Sequence, residues 1–497
     1  MLDPRVHRNV QAWLAGPAKS LWSGAPRVTS PSGARLEVRD PATAAVVASV
    51  PDATPDEVDE IVQAAAAAAR AGAWTALSPS NRERCLLRLA DLVETCGEEL
   101  QHLVVLENGK LLQAVRREVE GSVRFLRYAA GWATKIAGDT LDVSIEQPGM
   151  KFLAYTRREP VGVVAGILPW NMPLSMAVWK AAPALACGCP VVLKPAEETP
   201  LSALRLAELA AEAGVPAGWL NVVTGGAGAG AALAAHGLVA KVSFTGSTDV
   251  GRQVAQVAAG RLARCTLELG GKSPVVVFDD VDVAAVAPGV AQGIFYNQGQ
   301  ICAAGSRLYV HRRRFDEMVD RLGRAAAGMT LGSGFDPAAQ LGPLVSEAQR
   351  ERVLGYIAAG RTAGARAIAG GGAPDGAGWF VEPTVFTDVH AQMAIVQEEI
   401  FGPVLVVAPF DEEDEVLSAV NGTAYGLSAS LYTQDLSRVH RLIPQIAAGS
   451  VFVNAPVRTD PNLPFGGVKA SGLGREHGSS MLDLYTETKS VVIGYQA

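Results

Sequence analysis

The sequence predicts an α/β fold of two doubly wound parallel-sheet units, with a small β element that belongs to neither. Three observations carry this reading. From Pro160 onward, apolar strand candidates alternate with helix patterns at the spacing of βαβ units. A second such series begins after Lys272, and two stretches of alternating polar and apolar residues lie outside both series. A chain of 497 residues is also too long for one ordinary core, so two or three domains are expected.

Residues from Asp40 to about Gly138 read as mainly helical. Pro55-Asp-Glu-Val-Asp-Glu60 opens an Ala-rich helix whose acids stand at the N-terminus, where the macrodipole favours them. The alanines mark helix propensity, not low complexity. Val161 to Ile167 is one continuous apolar run, as a strand buried on both faces requires. A helix from Trp179 to Ala186, a strand over 190–193, a helix from Leu201 to Ala213 and strands over 220–223 and 240–244 follow. In the second series the strand candidates are 274–278, 307–310, 404–407 and 450–453, with Gly370 to Gly378 as an exposed loop. The alternating stretches are 140–145 through 152–156 and the tail 490–494, which are expected to pair with one another or across subunits.

Composition narrows the function classes. With 49% apolar and 19% charged residues the chain is globular, not disordered. A net charge of −7 without a long basic run argues against a nucleic-acid partner. His311-Arg-Arg-Arg314, directly ahead of an amphipathic helix pattern, reads as a solvated turn. No window reaches the ~18 uncharged apolar residues of a membrane span, and the start lacks the apolar core of a signal peptide. No membrane partner is expected, and the cytoplasm is the expected location. The cysteines (Cys85, Cys96, Cys187, Cys189, Cys265 and Cys302) do not form a disulfide framework in so long a chain. Cys187-Gly-Cys189 lacks the second half of a zinc site. All read as reduced thiols, and no metal is expected.

Chemistry concentrates around Cys302. Asn297-Gln-Gly-Gln-Ile-Cys302-Ala-Ala-Gly-Ser-Arg307 sets one thiol among small and amide residues, and Glu268 opens Glu268-Leu-Gly-Gly-Lys272. A nucleophile with a spare carboxylate points to covalent catalysis assisted by a general base. A lone cysteine is by itself more often inert core, and the accompanying motifs reverse that preference. Pro169-Trp170-Asn171-Met172-Pro173 holds an amide between two prolines, where Asn171 can donate to a developing oxyanion. As a motif alone it reads equally well as a tight turn. Lys194-Pro-Ala-Glu197 follows a strand, the place where cofactors bind in such sheets, and can grip ribose hydroxyls or form a surface ion pair. Phe244-Thr-Gly246-Ser247-Thr-Asp-Val-Gly251 places a Gly-Ser turn at a helix start, a seat for pyrophosphate. Gly225-Gly-Ala-Gly-Ala-Gly230 has the wrong glycine spacing for a dinucleotide loop and reads as an ordinary loop. Glu398-Glu399-Ile-Phe401-Gly-Pro403 and Pro464-Phe465-Gly-Gly-Val-Lys469 complete the set.

In this order, from about Asp40 to Lys489, the motifs resemble those of the NAD(P)-dependent aldehyde dehydrogenase superfamily. Thr134 to Ile145, Cys302-Ala-Ala-Gly-Ser-Arg307 and Glu487-Thr-Lys-Ser-Val491 look like its phenylacetaldehyde dehydrogenase branch. The resemblance implies a Rossmann-like parallel-sheet cofactor domain (1–138 and 160–271), a second α/β catalytic domain (272–475) and a small β oligomerisation element (139–159 and 476–497), assembled as a homodimer or homotetramer. It makes Cys302 the nucleophile, Asn171 an oxyanion donor and Glu268 the base that activates water, with Lys180 and Glu476 passing its proton on. Lys194 and Glu197 match adenosine-ribose ligands, Gly246 and Ser247 the pyrophosphate turn and Glu399 the nicotinamide-ribose ligand. Phe401, Trp170, Ile167 and Gly251 join this cofactor set. The Glu197 carboxylate repels a 2′-phosphate, so NAD is favoured over NADP. The aldehyde funnel would comprise Met172, Met176, Trp179, Tyr296, Ile301, Ala303, Thr459 and Phe465, an apolar and partly aromatic set with Arg458 as a neighbouring cation.

Three rivals stay open. A CoA-acylating relative would capture the thioester with something other than water, although Glu268 favours a free acid. Tyr485-Thr-Glu-Thr-Lys489 carries the Tyr-x-x-x-Lys string of short-chain reductases, but far from any expected cofactor unit. A silent structural relative is the third. Within the resemblance, an aliphatic or betaine-type aldehyde is the alternative to an aromatic one.

Overall fold

The computed structural model describes residues 2–27 and 33–496. Met1, residues 28–32 and Ala497, which the expected domain spans include, lie outside the described residues. The first sheet runs Gly472–Leu473, Arg264–Glu268, Val239–Thr245, Val163–Ile167, Val191–Lys194, Leu220–Val222, Leu21–Ser23, Pro26–Arg27. From Arg264–Glu268 to Leu220–Val222 every neighbouring pair is parallel. Val163–Ile167, Val191–Lys194 and Leu220–Val222 are buried at every position, as their apolar runs demand. Successive strands stack on one side of Val163–Ile167, then Val239–Thr245 returns to its other side. Sheets of this kind open a ligand crevice at the carboxyl ends where the order reverses.

The second sheet runs Arg366–Ala369, Thr384–Thr387, Val404–Phe410, Arg307–His311, Pro274–Val277, Ser428–Tyr432, Ser450–Val453. It is parallel throughout except at its Arg366–Ala369 edge. Residues 269–273, which carry the Gly270-Gly271 pair, link the first sheet to the second. The two alternating stretches do pair with one another: Thr486–Gln496 lies antiparallel along the whole of Met150–Pro160. The earlier stretch is strand only at Thr140–Leu141.

Several elements differ from the sequence reading. Helix starts at Pro173, not Trp179, because proline at the first turn loses no hydrogen bond there. The stretch read as helical from Asp40 contains a strand, Val46–Pro51, which pairs with Arg35–Arg39 just ahead of it. Thr54 then caps Pro55–Ala71 in a reciprocal box with Glu57. The glycine-rich 225–230 segment is loop only as far as Gly226, and Ala227–Ala235 is helix. Gly472–Leu473, inside the span expected in the second unit, pairs with Arg264–Glu268 of the first. Arg264–Glu268, Arg366–Ala369, Thr384–Thr387 and Ser428–Tyr432 are strands that polar residues and shortness conceal in the sequence. Among the described residues, no helix is long and apolar enough to cross a membrane.

Candidate active site

The carboxyl ends of the first sheet bring the motifs into one row. Strand register sets Glu268 beside Thr245, Phe244 beside Ile167 and Ile167 beside Lys194. Over this edge and toward the second sheet opens a cleft of about 760 Å³, within the range of small-molecule sites. Cys302, Asn171, Glu268 and Glu476 line it, with Trp170, Gly246, Ser247, Glu399 and Phe401. Met172, Met176, Trp179, Tyr296, Ile301, Ala303, Thr459 and Phe465 line it too.

Cys302 sits in the loop that leads into the Arg307–His311 strand. Just before it, Asn297, Gln298 and Gly299 have φ of 51°, 57° and 70°. Two consecutive left-handed residues other than glycine cost roughly 1–2 kcal/mol each, so the surroundings must enforce the turn. Asn297 Nδ2 donates to the Asn171 and Gln300 carbonyls, both at 3.2 Å. A Cβ on Gly299 would stand 2.0 Å from the Gly402 carbonyl oxygen. The Gly270-Gly271 pair is needed for the same reason. A Cβ on Gly271 would fall 2.2 Å from the Cys302 carbonyl oxygen, and one on Gly270 would fall 2.4 Å from Glu399 Oε2. Burial pushes the Cys302 thiol up to about 12, and the Glu399 and Glu268 charges push the same way.

Asn171 Nδ2 donates to the Gln300 carbonyl at 2.9 Å. An amide has two hydrogens, so one remains for an oxyanion in the cleft. The Asn171 carbonyl is held by Lys110 Nζ at 2.7 Å, and Lys110 forms a fully buried ion pair with Glu118 at 2.7 Å. Glu118 also accepts the Ser175 N–H at 3.1 Å, at the start of the Pro173–Ala186 helix. This buried pair fixes the turn that presents Asn171. Removing either partner would strand a buried charge.

Glu268 is 3% exposed, and neither carboxylate oxygen has a hydrogen-bond partner among the described residues. Burial holds its carboxyl well above the usual range, and the neighbouring Glu476 adds to the effect. Glu476 pairs with Lys180 and accepts from Ser243 Oγ at 3.3 Å, while Lys180 Nζ reaches Thr245 Oγ1 at 2.7 Å. An unpartnered, raised carboxyl beside an anchored ion pair has the character of a general base with a proton outlet.

On the opposite wall Glu399 accepts the Gly271 N–H at 2.8 Å, and burial raises its carboxyl to about 7. Phe401, left-handed at φ 62°, meets Trp170 edge to face with centroids 5.1 Å apart. Ser247 caps the Thr248–Gly260 helix, whose N-terminus borders the cleft. The N–H groups of its first turn suit an anionic pyrophosphate. Lys194, Glu197, Ile167, Gly251 and Lys180 do not line the cleft. Lys194 Nζ donates to the Gly225 carbonyl at 2.7 Å and lies 3.9 Å from Glu197, whose side chain is half exposed. Ile167 is buried in the sheet. Gly251 is a packing position instead, since a Cβ there would stand 2.4 Å from Leu269 Cδ2.

The sequence reading missed Lys110, Glu118, Asn297, Ser243 and Thr245, which position the residues it found. It named Arg458 as a cation beside the funnel, and Arg117 and Arg124 also reach the same cleft from the Leu112–Trp132 helix. The reductase string does not form a site. Tyr485 is 3% exposed in the core, and Lys489 lies on the surface bonded to Glu159. Among the described residues, no group of three or more His, Cys, Asp or Glu side chains is placed to hold a metal ion.

The chain is similar to known proteins along nearly its whole length. A family model described as the aldehyde dehydrogenase family matches residues 28–491. A phenylacetaldehyde dehydrogenase of Pseudomonas fluorescens is 51% identical over 473 residues, 94% of each chain. A betaine aldehyde dehydrogenase of Mesorhizobium japonicum is 43% identical over 96% of this chain and 98% of its own. Among solved structures, the NAD+ complex of an aldehyde dehydrogenase from Bacillus cereus has a TM-score of 0.95 at 44% identity, covering 99% of both chains.

Proposed function

The chain belongs to the aldehyde dehydrogenase family, and we propose that it oxidises an arylacetaldehyde, phenylacetaldehyde or a close analogue, to the free carboxylic acid with NAD. The observation that carries this reading is the convergence of Cys302, Asn171 and Glu268 on one cleft with aromatic walls. The Cys302 sulfur adds to the aldehyde carbon, and its proton leaves by way of Glu268. Asn171, with the Cys302 backbone N–H, receives the charge that develops on the carbonyl oxygen, a contribution of roughly 3 kcal/mol per donor in sites of this type. The aldehyde carbon then loses hydride, for which a bound nicotinamide would supply the acceptor, and stays joined to Cys302 as a thioester. Glu268 then takes a proton from water, which attacks the thioester; the carbon–sulfur bond breaks, the acid leaves and Cys302 is regenerated, while the Lys180–Glu476 pair carries the proton away.

The N-terminus of the Thr248–Gly260 helix, Glu399 and the Trp170–Phe401 pair would hold the dinucleotide, with Lys194 and Glu197 at its adenosine end. The half-exposed Glu197 carboxylate disfavours a 2′-phosphate there. For the substrate, Trp179 and Phe465 pack edge to face at 5.9 Å, which suits an aryl ring. Aromatic walls also suit a trimethylammonium group, and a relative is a betaine aldehyde dehydrogenase. Arg117, Arg124 and Arg458 oppose a cationic aldehyde.

The test compares kcat/KM on phenylacetaldehyde, a short aliphatic aldehyde and betaine aldehyde, each with NAD and with NADP, and quantifies carboxylate without added CoA. Phenylacetaldehyde with NAD is expected to lead. A lead for betaine aldehyde would overturn the substrate, equal use of NADP the Glu197 argument, and a requirement for CoA the hydrolytic step. We further propose that a second copy of the chain covers the Met150–Pro160 and Thr486–Gln496 ribbon. Leu153, Val492, Ile493 and Tyr495 there are 45%, 50%, 46% and 50% exposed, more apolar surface than one ribbon leaves to water without reason. Light scattering should give the mass of two or four chains, and the mass of one chain would refute it.

A further inference from the structure

His477 stands on the wall of the cleft among the aromatic residues. Its ring centroid lies 4.0 Å from that of Trp179, 4.6 Å from Phe125 and 6.4 Å from Phe465. The backbone is left-handed here, with φ of 64° at His477 and 63° at Gly478. Backbone bonds between Glu476 and Phe465, N–H to carbonyl in both directions at 2.6 and 2.7 Å, pin the turn. Adjacent residues thus serve different parts of the site: Glu476 meets Lys180, and His477 enters the aromatic wall.

The two ring nitrogens of His477 are not equivalent. Nδ1 lies 3.2 Å from the Asp460 carbonyl oxygen, and since two acceptors repel, Nδ1 carries the proton. Burial lowers the ring to about 4, so the imidazole is neutral at physiological pH. That leaves Nε2 as an acceptor. The residue is 2% exposed, and Nε2 has no hydrogen-bond partner among the described residues. A buried acceptor without a donor is unfavourable, and a donor that arrives with a ligand relieves it. Aromatic faces around a single acceptor are complementary to an aryl ring bearing a single donor.

We propose that His477 is a specificity-determining residue whose Nε2 accepts a hydrogen bond from an O–H or N–H on the ring of an aryl aldehyde, so that hydroxyaryl and indolyl acetaldehydes are favoured over rings without a donor. The inference rests on the proposed aldehyde oxidation and assigns the polar end of its substrate. The alternative is that the imidazole only fills space, and then every aldehyde would respond alike to its replacement.

The experiment measures kcat/KM for 3- and 4-hydroxyphenylacetaldehyde, for their methyl isosteres and for phenylacetaldehyde, in the wild type, His477→Asn and His477→Gln. Asparagine tolerates the left-handed backbone but is too short to reach. Glutamine restores an acceptor near the Nε2 position. The wild type is expected to favour at least one hydroxyl compound over its methyl isostere by roughly tenfold or more. In His477→Asn that ratio should fall to about one, and in His477→Gln most of it should return. Ratios taken within one variant cancel any loss of folded protein. If phenylacetaldehyde is oxidised but the hydroxyl-to-methyl ratio is the same in wild type and His477→Asn, the inference is overturned and the proposed function stands. If no aryl aldehyde is oxidised, both fall.

Discussion

Glu268→Gln is expected to trap the protein as an acyl-enzyme. Intact mass should rise by one acyl group after mixing with aldehyde and NAD, while steady-state turnover falls by roughly 10²- to 10⁴-fold, the usual worth of a general base. The structure gives the reason. Glu268 is buried, its oxygens have no hydrogen-bond partner among the described residues, and a Cβ on Gly466 would stand 2.6 Å from Oε1. The glutamine amide is isosteric with the carboxylate and so takes the same space, but it cannot take a proton from water. The sign of the pH dependence follows from the raised carboxyl. Below its pKa the group is protonated and idle as a base, so deacylation should gain speed with rising pH, starting above the ordinary glutamate range. That rise should be absent in the glutamine variant. Normal turnover in Glu268→Gln would assign the hydrolysis to another group.

Cys302→Ala is expected to abolish turnover, by at least about 10⁴-fold, because among the described residues no other thiol lines the cleft to take over the covalent step. Cys302 lies in a loop held by its neighbours: the glycines at 270, 271 and 299, and the Asn297 bonds to Asn171 and Gln300. Replacing the sulfur by hydrogen leaves those contacts alone, so thermal stability and dinucleotide binding should persist. Neither reduced nicotinamide nor an acyl adduct should form. Retained turnover would show that the thiol is not the reacting atom.

The chemical residues were legible because each stands in a short segment whose neighbours are constrained by close approach. Gly270 and Gly271 are glycines because Glu399 and the Cys302 carbonyl press against them, and Ser247 follows a glycine because a helix begins there. The parallel strands were legible wherever burial on both faces leaves an unbroken apolar run, as at Val163–Ile167. Residues that hold the site from a distance were not legible. Lys110 reaches Asn171 across 61 positions, and nothing local marks its pairing with Glu118. Asn297 and Gln298 adopt left-handed backbone without being glycine, and the cause is tertiary. Arg117 and Arg124 belong to a helix whose rotation toward the cleft depends on packing against Pro173–Ala186. His477 was passed over for the same reason: only the folded chain shows which of its nitrogens is left without a donor.

The sheet that begins at Leu21 is closed by Gly472–Leu473, which covers the strand bearing Glu268. During synthesis on the ribosome, that strand waits with an open side until some two hundred further residues have been made. A message cut short anywhere before residue 473 would release a chain whose sticky flank lies beside its own base, a product for proteases and chaperones and not a smaller enzyme.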